Sequence, residues 1–167
     1  TNDRRLSAVI KVQEQDFDIG AELASLTDGN TAVGGLGCFV GLVRDMANEE
    51  QISSMTLEHY PGMTEKQLAT IEAEARDRWP LQDVLLIHRY GRLEPGDRIV
   101  LVATTSAHRE AALESCHFLI DWLKTKAPFW KLEESDTGEN WVAARASDND
   151  AADRWSGTAT QSEQKKV

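Results

Sequence analysis

The feature that most constrains the fold is a continuous apolar run followed at once by an amphipathic helix pattern, within residues 97–131. The run at residues 99–103 is typical of a strand that is buried on both faces. Apolar residues then recur at spacings of three and four, which predicts one buried helix face. Its members are Ala112, Leu113, Cys116, Leu119, Ile120 and Leu123. Ser106 is predicted to cap this helix and Pro128 to end it, so a sheet with a packed helix is expected at the centre of the fold.

Basic residues cluster at both ends of this predicted helix. His108 and Arg109 lie at its N-terminus, where backbone N–H groups favour an anion, and Lys124, Lys126 and Lys131 lie at its far end. The formal net charge of the chain is −10, so a locally basic region indicates a site for a small anion rather than for nucleic acid. The pattern is equally compatible with lysines that only complement the helix dipole.

Composition indicates an ordinary globular protein of one domain. Hydrophobic residues make up 41% of the 167 residues, enough for a sizeable core. We expect this domain to span residues 1–155 and the polar segment 156–167 to be disordered. No stretch has the length of a membrane span and no signal-peptide pattern opens the chain, so a cytoplasmic location is expected. Cys38 and Cys116 form no metal or redox motif, and both are predicted to be buried.

The order of predicted strands and helices indicates an α+β fold with a mixed sheet. Strands at 52–60 and 84–90, with a helix at 65–78 between them, are compatible with a βαβ unit. The strands at 84–90 and 98–104 are predicted to form a hairpin. A strand-like run at 32–44 carries four glycines, and no helix pattern follows them as a dinucleotide fingerprint would require. Glycines within a strand indicate bulges or a close approach of another backbone.

The sequence offers few candidates for chemistry beyond these cations. Its four histidines have no metal-ligand spacing, and no nucleophile elbow or P-loop is present. Cys116 lies on the apolar helix stripe, which argues against a nucleophilic thiol. The lysines and arginines remain, with His108 and Glu133. Such a set suits anion binding, stabilisation of an oxyanion, or proton transfer by a lysine.

Six motifs, in order, closely resemble those of the large, catalytic subunit of molybdopterin synthase. They are GLVR at 41–44, LEHYPGM at 57–63, IHRYG at 87–91, PGD at 95–97, TSAHR at 105–109 and LKTKAPFWKLE at 123–133. The resemblance runs in register from about residue 34 to residue 155. Six ordered motifs are much more specific than any one of them.

The resemblance implies a function that the spacings alone do not reach. Members of this family convert cyclic pyranopterin monophosphate (precursor Z) into molybdopterin by building its dithiolene. The sulfur is implied to come from a C-terminal Gly-Gly thiocarboxylate on a small ubiquitin-like partner subunit, so no cofactor, metal or thiol is expected on this chain. The implied fold is an α/β hammerhead with a small added β subdomain. The implied assembly is a heterotetramer with a homodimer of large subunits at its centre.

Site residues follow from the same resemblance. It implies that Lys124 and Lys131 are catalytic, and that Arg44 reaches the site from the other subunit of the dimer. The implied substrate-binding residues are Leu42, Val43, Arg44, His108, Arg109, Lys124, Lys131, Leu132 and Glu133. Leu42 stands where the family has a polar residue, and the glycine run at 34–37 is richer than usual. Lys126 is expected to be free to vary.

Two other functions are compatible with the residues. One is a non-catalytic module that captures a ubiquitin-like Gly-Gly tail, with the lysines supplying only charge for its carboxylate. The other is a lysine enzyme that forms a Schiff base with a carbonyl substrate. Turnover with a thiocarboxylated partner separates both from a sulfurtransferase.

Overall fold

The computed structural model describes residues 8–47, 50–142 and 153–156. In this part of the chain, two sheets and three α-helices form a mixed α+β fold, as predicted. The helices are α1 (Ile19–Thr27), α2 (Met63–Arg78) and α3 (Arg109–Thr125). The strands are β1 (Ala8–Gln13), β2 (Gly35–Leu42), β3 (Met46–Ala47), β4 (Glu50–His59), β5 (Leu81–Arg89), β6 (Gly91–Leu93), β7 (Arg98–Ser106), β8 (Phe129–Ser135) and β9 (Gly138–Val142). None of the described helices has the length and apolarity that a bilayer crossing needs.

The first sheet has the strand order β1-β5-β7-β2. Strand β7 lies in its interior and is buried almost throughout, as the apolar run predicts. The predicted pairing of the strands near 84–90 and 98–104 is confirmed, since Ile87 lies opposite Leu101 in an antiparallel ladder. Strand β1 runs parallel to β5 at the opposite edge from β2. The sheet is therefore mixed, with its most apolar strands at the centre.

The second sheet has the strand order β3-β4-β8-β9, with β6 also paired to β4. The predicted βαβ unit is wrong, because β4 belongs to this sheet and the parallel partner of β5 is β1. Helix α2 instead connects the two sheets. The competing partner of β4 is β8. The sequence pattern did not predict this strand, because apolar and charged residues are mixed along it and most of them are only half-buried. Long-range pairing with β8 therefore decided the position of β4.

A close backbone contact seats α3 on β2. An ideal Cβ at Gly37 would lie 2.5 Å from the carbonyl oxygen of Ala112, and one at Gly34 would lie 1.9 Å from that of Ala107. No side chain fits in either gap, so the prediction that these glycines permit close approach is confirmed. This contact sets the height of α3 above the sheet and thus the position of its C-terminal end.

Two local predictions near this helix are wrong. Ser106 does not cap α3: it ends β7, and its hydroxyl donates to the carbonyl oxygen of Pro80 at 2.9 Å. The N-cap is His108, which makes no side-chain capping bond. Cys38 is exposed, because β2 is an edge strand, whereas Cys116 is buried as predicted. In both cases the position of the side chain in the folded sheet, rather than the local sequence pattern, decided its surroundings.

The core lies on both faces of the first sheet. One face, represented by Leu86 and Val102, packs against α2, α3 and residues of the second sheet such as Leu57. The other face, represented by Leu85 and Leu101, packs against α1. One hydrophobic cluster thus joins both sheets. The extent of the domain stays a prediction, and the expected disorder of 156–167 concerns residues that, apart from Ser156, lie outside the described part.

We expect Gly37→Ala to lower the free energy of unfolding by about 1–3 kcal/mol, because the new methyl group would push α3 away from β2. Gly20→Ala in α1 is the matched control. A Cβ there would lie 3.5 Å from the nearest atom, so stability should be unchanged or slightly raised. Chemical denaturation of both variants measures the difference. Equal stability of the two variants would contradict the role given to this contact.

Candidate active site

A cavity of about 300 Å³ lies where the C-terminal end of α3 meets both sheets. Its walls include apolar residues of the second sheet, such as Met55 and Leu57, and Ile99 of the first sheet. Five of its lining side chains can carry charge. They are Arg44, His88, Lys124, Lys131 and Glu133. Of the sequence-predicted residues, the structure therefore brings Arg44, Lys124, Lys131 and Glu133 together, with Leu42 at the same cavity.

Strand β8 supplies two of these residues by simple alternation. Lys131 and Glu133 lie two positions apart, so both side chains project from the same face of β8 into the cavity. Leu132 lies between them, does not line the cavity and projects from the opposite face. Lys131 stands opposite Leu57 of β4 on one side and Val142 of β9 on the other. Pairing on both sides fixes the backbone that carries it.

Lys124 comes from the last turn of α3. The neighbouring Leu123 is buried and anchors that turn in the core. The helix then ends, with the backbone N–H of Lys126 donating to the carbonyl oxygen of Trp122, and β8 begins at Phe129. Because this connection is so short, the two lysines arrive at one cavity from two different elements.

Arg44 follows β2 and is held by the residue before it. Val43 is buried, at 3% exposure, and its N–H donates to the carbonyl oxygen of Asp97 at 2.9 Å. Its own carbonyl oxygen accepts from the N–H of Gly96 at 2.8 Å. Val43 thus serves as an anchor in the core, and the exposed Arg44 next to it reaches the cavity.

His108 and Arg109 lie at the other end of α3 and are exposed. With a rise of 1.5 Å per residue, sixteen residues of helix place His108 about 24 Å from Lys124 along the axis. The structure therefore does not bring this pair to the cavity of its own chain.

His88 is a lining residue that the sequence reasoning missed. It lies near the end of β5, is buried, and stacks on Phe129 with ring centroids 3.7 Å apart and planes 14° apart. Burial lowers its pKa from 6.5 to about 4, and the positive charges of Lys124 and Lys131 contribute. A neutral imidazole therefore lies beside two lysines. The motif IHRYG was available in the sequence, but only burial distinguishes this histidine from the other three.

The electrostatics suit a small anion. Arg44 and the two lysines outnumber the single carboxylate of Glu133, in a chain whose overall charge is strongly negative. Among the described residues, no group of histidine, cysteine, aspartate and glutamate side chains could hold a metal ion. Burial raises the pKa of the Cys116 thiol to about 12, which leaves it unreactive as a nucleophile. The charged side chains that line the cavity are of the kind that binds an anion or transfers protons.

Fold and site together define an α+β protein with a lysine-lined cavity whose charges suit an anion. A sequence profile of the MoaE protein family matches residues 12–126. A molybdopterin synthase catalytic subunit of Pseudomonas aeruginosa is 52% identical over 146 residues, covering 87% of this chain and 97% of that protein. The chain therefore belongs to the MoaE family, and the resemblance carried by the six motifs is confirmed.

Solved structures agree with this assignment. A molybdopterin biosynthesis MoaE protein of Burkholderia ambifaria superposes with a TM-score of 0.77 at 52% identity, covering 90% of this chain and 99% of that one. A complex of subunits 1 and 2 of molybdopterin-converting factor from Helicobacter pylori has the same fold, with a TM-score of 0.67 at 22% identity over 81% and 91% of the chains. The predicted fold class is thus confirmed in solved relatives.

We expect the burial of His88 to make stability depend on pH. Its pKa is about 4 in the folded chain, whereas the ordinary pKa of a histidine, expected in the unfolded chain, is 6.5. The unfolded state therefore binds the proton first, and the free energy of unfolding should fall by roughly 3 kcal/mol as pH decreases through this window. Above pH 6.5 His88 is neutral in both the folded and the unfolded chain, so it no longer makes stability depend on pH. Urea denaturation at several pH values measures the slope.

His88→Phe is the control, since it should remove this slope between pH 6.5 and 4. The carboxylates act at lower pH: a hydrogen bond from Arg98 is the main cause that lowers the pKa of Asp16 from 3.8 to about 2. A slope that persists unchanged in His88→Phe would show that another group is responsible.

Proposed function

We propose that this chain is a molybdopterin synthase catalytic subunit that transfers sulfur to precursor Z. As a MoaE family member with close relatives of that name, it is an enzyme of molybdenum cofactor biosynthesis. The observation that carries the proposal is the convergence of Lys124 and Lys131, from α3 and β8, on one cavity with Arg44. The six-motif resemblance implies the same two lysines.

The chemistry that we assign to these residues follows from charge. Precursor Z carries a cyclic phosphate, and the planar guanidinium of Arg44 suits contact with such an anion. Attack by a thiocarboxylate sulfur passes through anionic intermediates. The ammonium groups of Lys124 and Lys131 stabilise these or transfer protons to and from them. Catalysis by this chain thus consists of positioning and charge stabilisation.

The sulfur donor that we propose is a small ubiquitin-like subunit with a C-terminal Gly-Gly thiocarboxylate. An extended Gly-Gly tail is narrow enough to enter a confined cavity, and its terminal charge complements the lysines there. The Helicobacter pylori structure of the same fold is itself a two-subunit complex. A partner that carries the sulfur is also consistent with the unreactive Cys116.

We further propose that a second copy of this chain completes the site. His108 and Arg109 lie about 24 Å along α3 from Lys124, so they can join a lysine cavity only from a neighbouring subunit. Strand β2 ends the first sheet, and large apolar side chains near it are exposed, among them Leu42 at 53% and Leu113 at 59%. Such an edge suits a dimer. Arg44 lines the cavity of its own chain, so we propose that it acts there. The resemblance implies instead that it acts across the dimer, and the mixing experiment below distinguishes the two.

Reconstitution tests the proposed function: purified chain, thiocarboxylated partner and precursor Z should yield molybdopterin. In this assay Lys124→Ala and Lys131→Ala should lose most activity while their melting temperatures stay within a few degrees, because both side chains lie at the cavity rather than in the core. Lys126→Ala is the matched control and should remain active, since Lys126 does not line this cavity. Partner binding without turnover by the wild-type chain would favour the tail-capturing module, and a borohydride-trapped adduct on Lys124 would favour the Schiff-base enzyme.

Subunit mixing tests how the site is shared. Lys124→Ala mixed with Arg109→Ala should recover about a quarter of wild-type activity. Random exchange makes half of the dimers mixed, and each mixed dimer holds one intact site of two. Lys124→Ala mixed with Arg44→Ala should recover nothing, because both changes fall in one chain's cavity. Recovery in the Arg44 mixture and not in the Arg109 mixture would instead establish Arg44 as the residue that crosses the dimer.

A further inference from the structure

One nitrogen of the His88 ring forms a hydrogen bond within the protein. Nδ1 lies 2.8 Å from the carbonyl oxygen of Arg89. A carbonyl oxygen can only accept, so Nδ1 must carry the hydrogen. Because burial and the nearby lysines keep the ring neutral, the other nitrogen, Nε2, has no hydrogen and offers a lone pair.

The second nitrogen has no partner within the described residues. No hydrogen bond to Nε2 of His88 is formed there, and no fully buried side-chain nitrogen or oxygen atom in that part of the chain lacks a partner. Nε2 is therefore not fully buried, and since His88 lines the cavity, the cavity is where this atom is reached. The face of the ring is covered by Phe129. The ring thus exposes one edge to the cavity, and this edge carries a hydrogen-bond acceptor.

This acceptor differs from the other four ionisable side chains that line the cavity. Arg44, Lys124 and Lys131 can only donate, and Glu133 is an anion that the neighbouring cations attract. Among the ionisable lining side chains, His88 is the one that accepts a hydrogen bond without bringing charge. The Thr125 hydroxyl, which is also neutral, belongs to the last turn of α3 and donates to the carbonyl oxygen of Asp121 at 3.0 Å. A neutral acceptor suits an N–H or O–H group of a ring, whereas the cations suit a phosphate or a thiocarboxylate.

We propose that His88 is a substrate-binding and specificity-determining residue of this site. Its Nε2 accepts a hydrogen bond from an N–H or O–H donor on the heterocyclic part of the substrate, while the cations hold the anionic part. The inference rests on the proposed function for the identity of the substrate. It divides the cavity into a charged region that binds and a neutral edge that selects the ring system.

The orientation of His88 also explains why it is suited to this task. The hydrogen bond to the Arg89 carbonyl oxygen fixes the tautomer, and the stack on Phe129 fixes the plane of the ring. The ring is therefore already ordered, and binding of a ligand costs little side-chain entropy here. A site built to accept a substrate hydrogen bond rejects analogues that lack the donor much more strongly than an apolar pocket can. His88 and Phe129 therefore form a rigid pair that can select the substrate ring.

Three substitutions at His88 test the inference. His88→Phe keeps the stack and removes the acceptor, and should raise the dissociation constant for precursor Z about tenfold or more. His88→Asn can still donate to the Arg89 carbonyl but is too short to reach the cavity, and should be equally impaired. His88→Gln places an amide oxygen near the position of Nε2 and should recover much of the affinity. Isothermal titration with precursor Z, with melting temperatures for each variant, gives these values.

His59→Phe is the matched control. His59 is half-buried and also lies near Phe129, with ring centroids 6.0 Å apart, but it does not line the cavity. Its substitution should leave the dissociation constant unchanged. In wild-type protein labelled with ¹⁵N-histidine, precursor Z should shift the Nε2 resonance of His88 and leave that of His59 in place.

The outcomes separate this inference from the proposed function. If wild-type protein makes molybdopterin and His88→Phe binds precursor Z normally, the role of His88 is overturned and the proposed function stands. If His88→Gln is as impaired as His88→Phe, and both melt at lower temperature, His88 is a structural residue. If wild-type protein neither binds precursor Z nor makes molybdopterin, the proposed function fails and this inference fails with it.

Discussion

The backbone contact between α3 and β2 is the constraint on which the rest of the structure depends. Gly37 leaves no room for a side chain beneath α3, and Gly34 leaves none beside Ala107, just before the helix begins, so α3 rests on the sheet at a fixed height. The strand below the helix is otherwise exposed at its edge, and the interior β7 buries the same helix face. The position of the residues at the C-terminal end of α3 therefore depends on this contact. The end of α3 carries Lys124, and the short connection that follows starts β8 and thereby places Lys131.

The cavity gathers cations in a protein that is acidic as a whole. Each comes from a different element: Arg44 from the end of β2, Lys124 from α3 and Lys131 from β8. Each is attached to a neighbour that is held firmly, such as the buried Val43 and Leu123. Cations on anchored backbone need little rearrangement when an anion arrives. This arrangement fits the proposed sulfur transfer, in which the substrate, the donor and the intermediates are all anionic.

Burial of His88 costs the protein stability at low pH but gives the site a feature that its lysines lack. The same surroundings that lower the pKa of this ring keep it neutral, and the Arg89 carbonyl selects one tautomer. A charged acceptor at this place would pair with Lys124 or Lys131 and weaken their hold on the substrate anion. A neutral one leaves the positive charge of the cavity intact. His88 can then bind the substrate ring while the cations bind the substrate anion.

Local pattern determined the elements, and long-range pairing determined their environment. The apolar run of β7, the stripe of α3 and the glycines near it were evident from the sequence, because each is a property of neighbouring residues. Leu113 is the exception in the stripe, since it was predicted to be buried and is 59% exposed. The six motifs likewise indicated the family and the two lysines. The pairing of β4 with β8, the exposure of Cys38 and the use of Ser106 by Pro80 each depended on a partner far along the chain. His88 is the clearest case: its burial, its stack on Phe129 and its depressed pKa exist only because β5, β8 and the end of α3 meet, and no local spacing encodes that meeting.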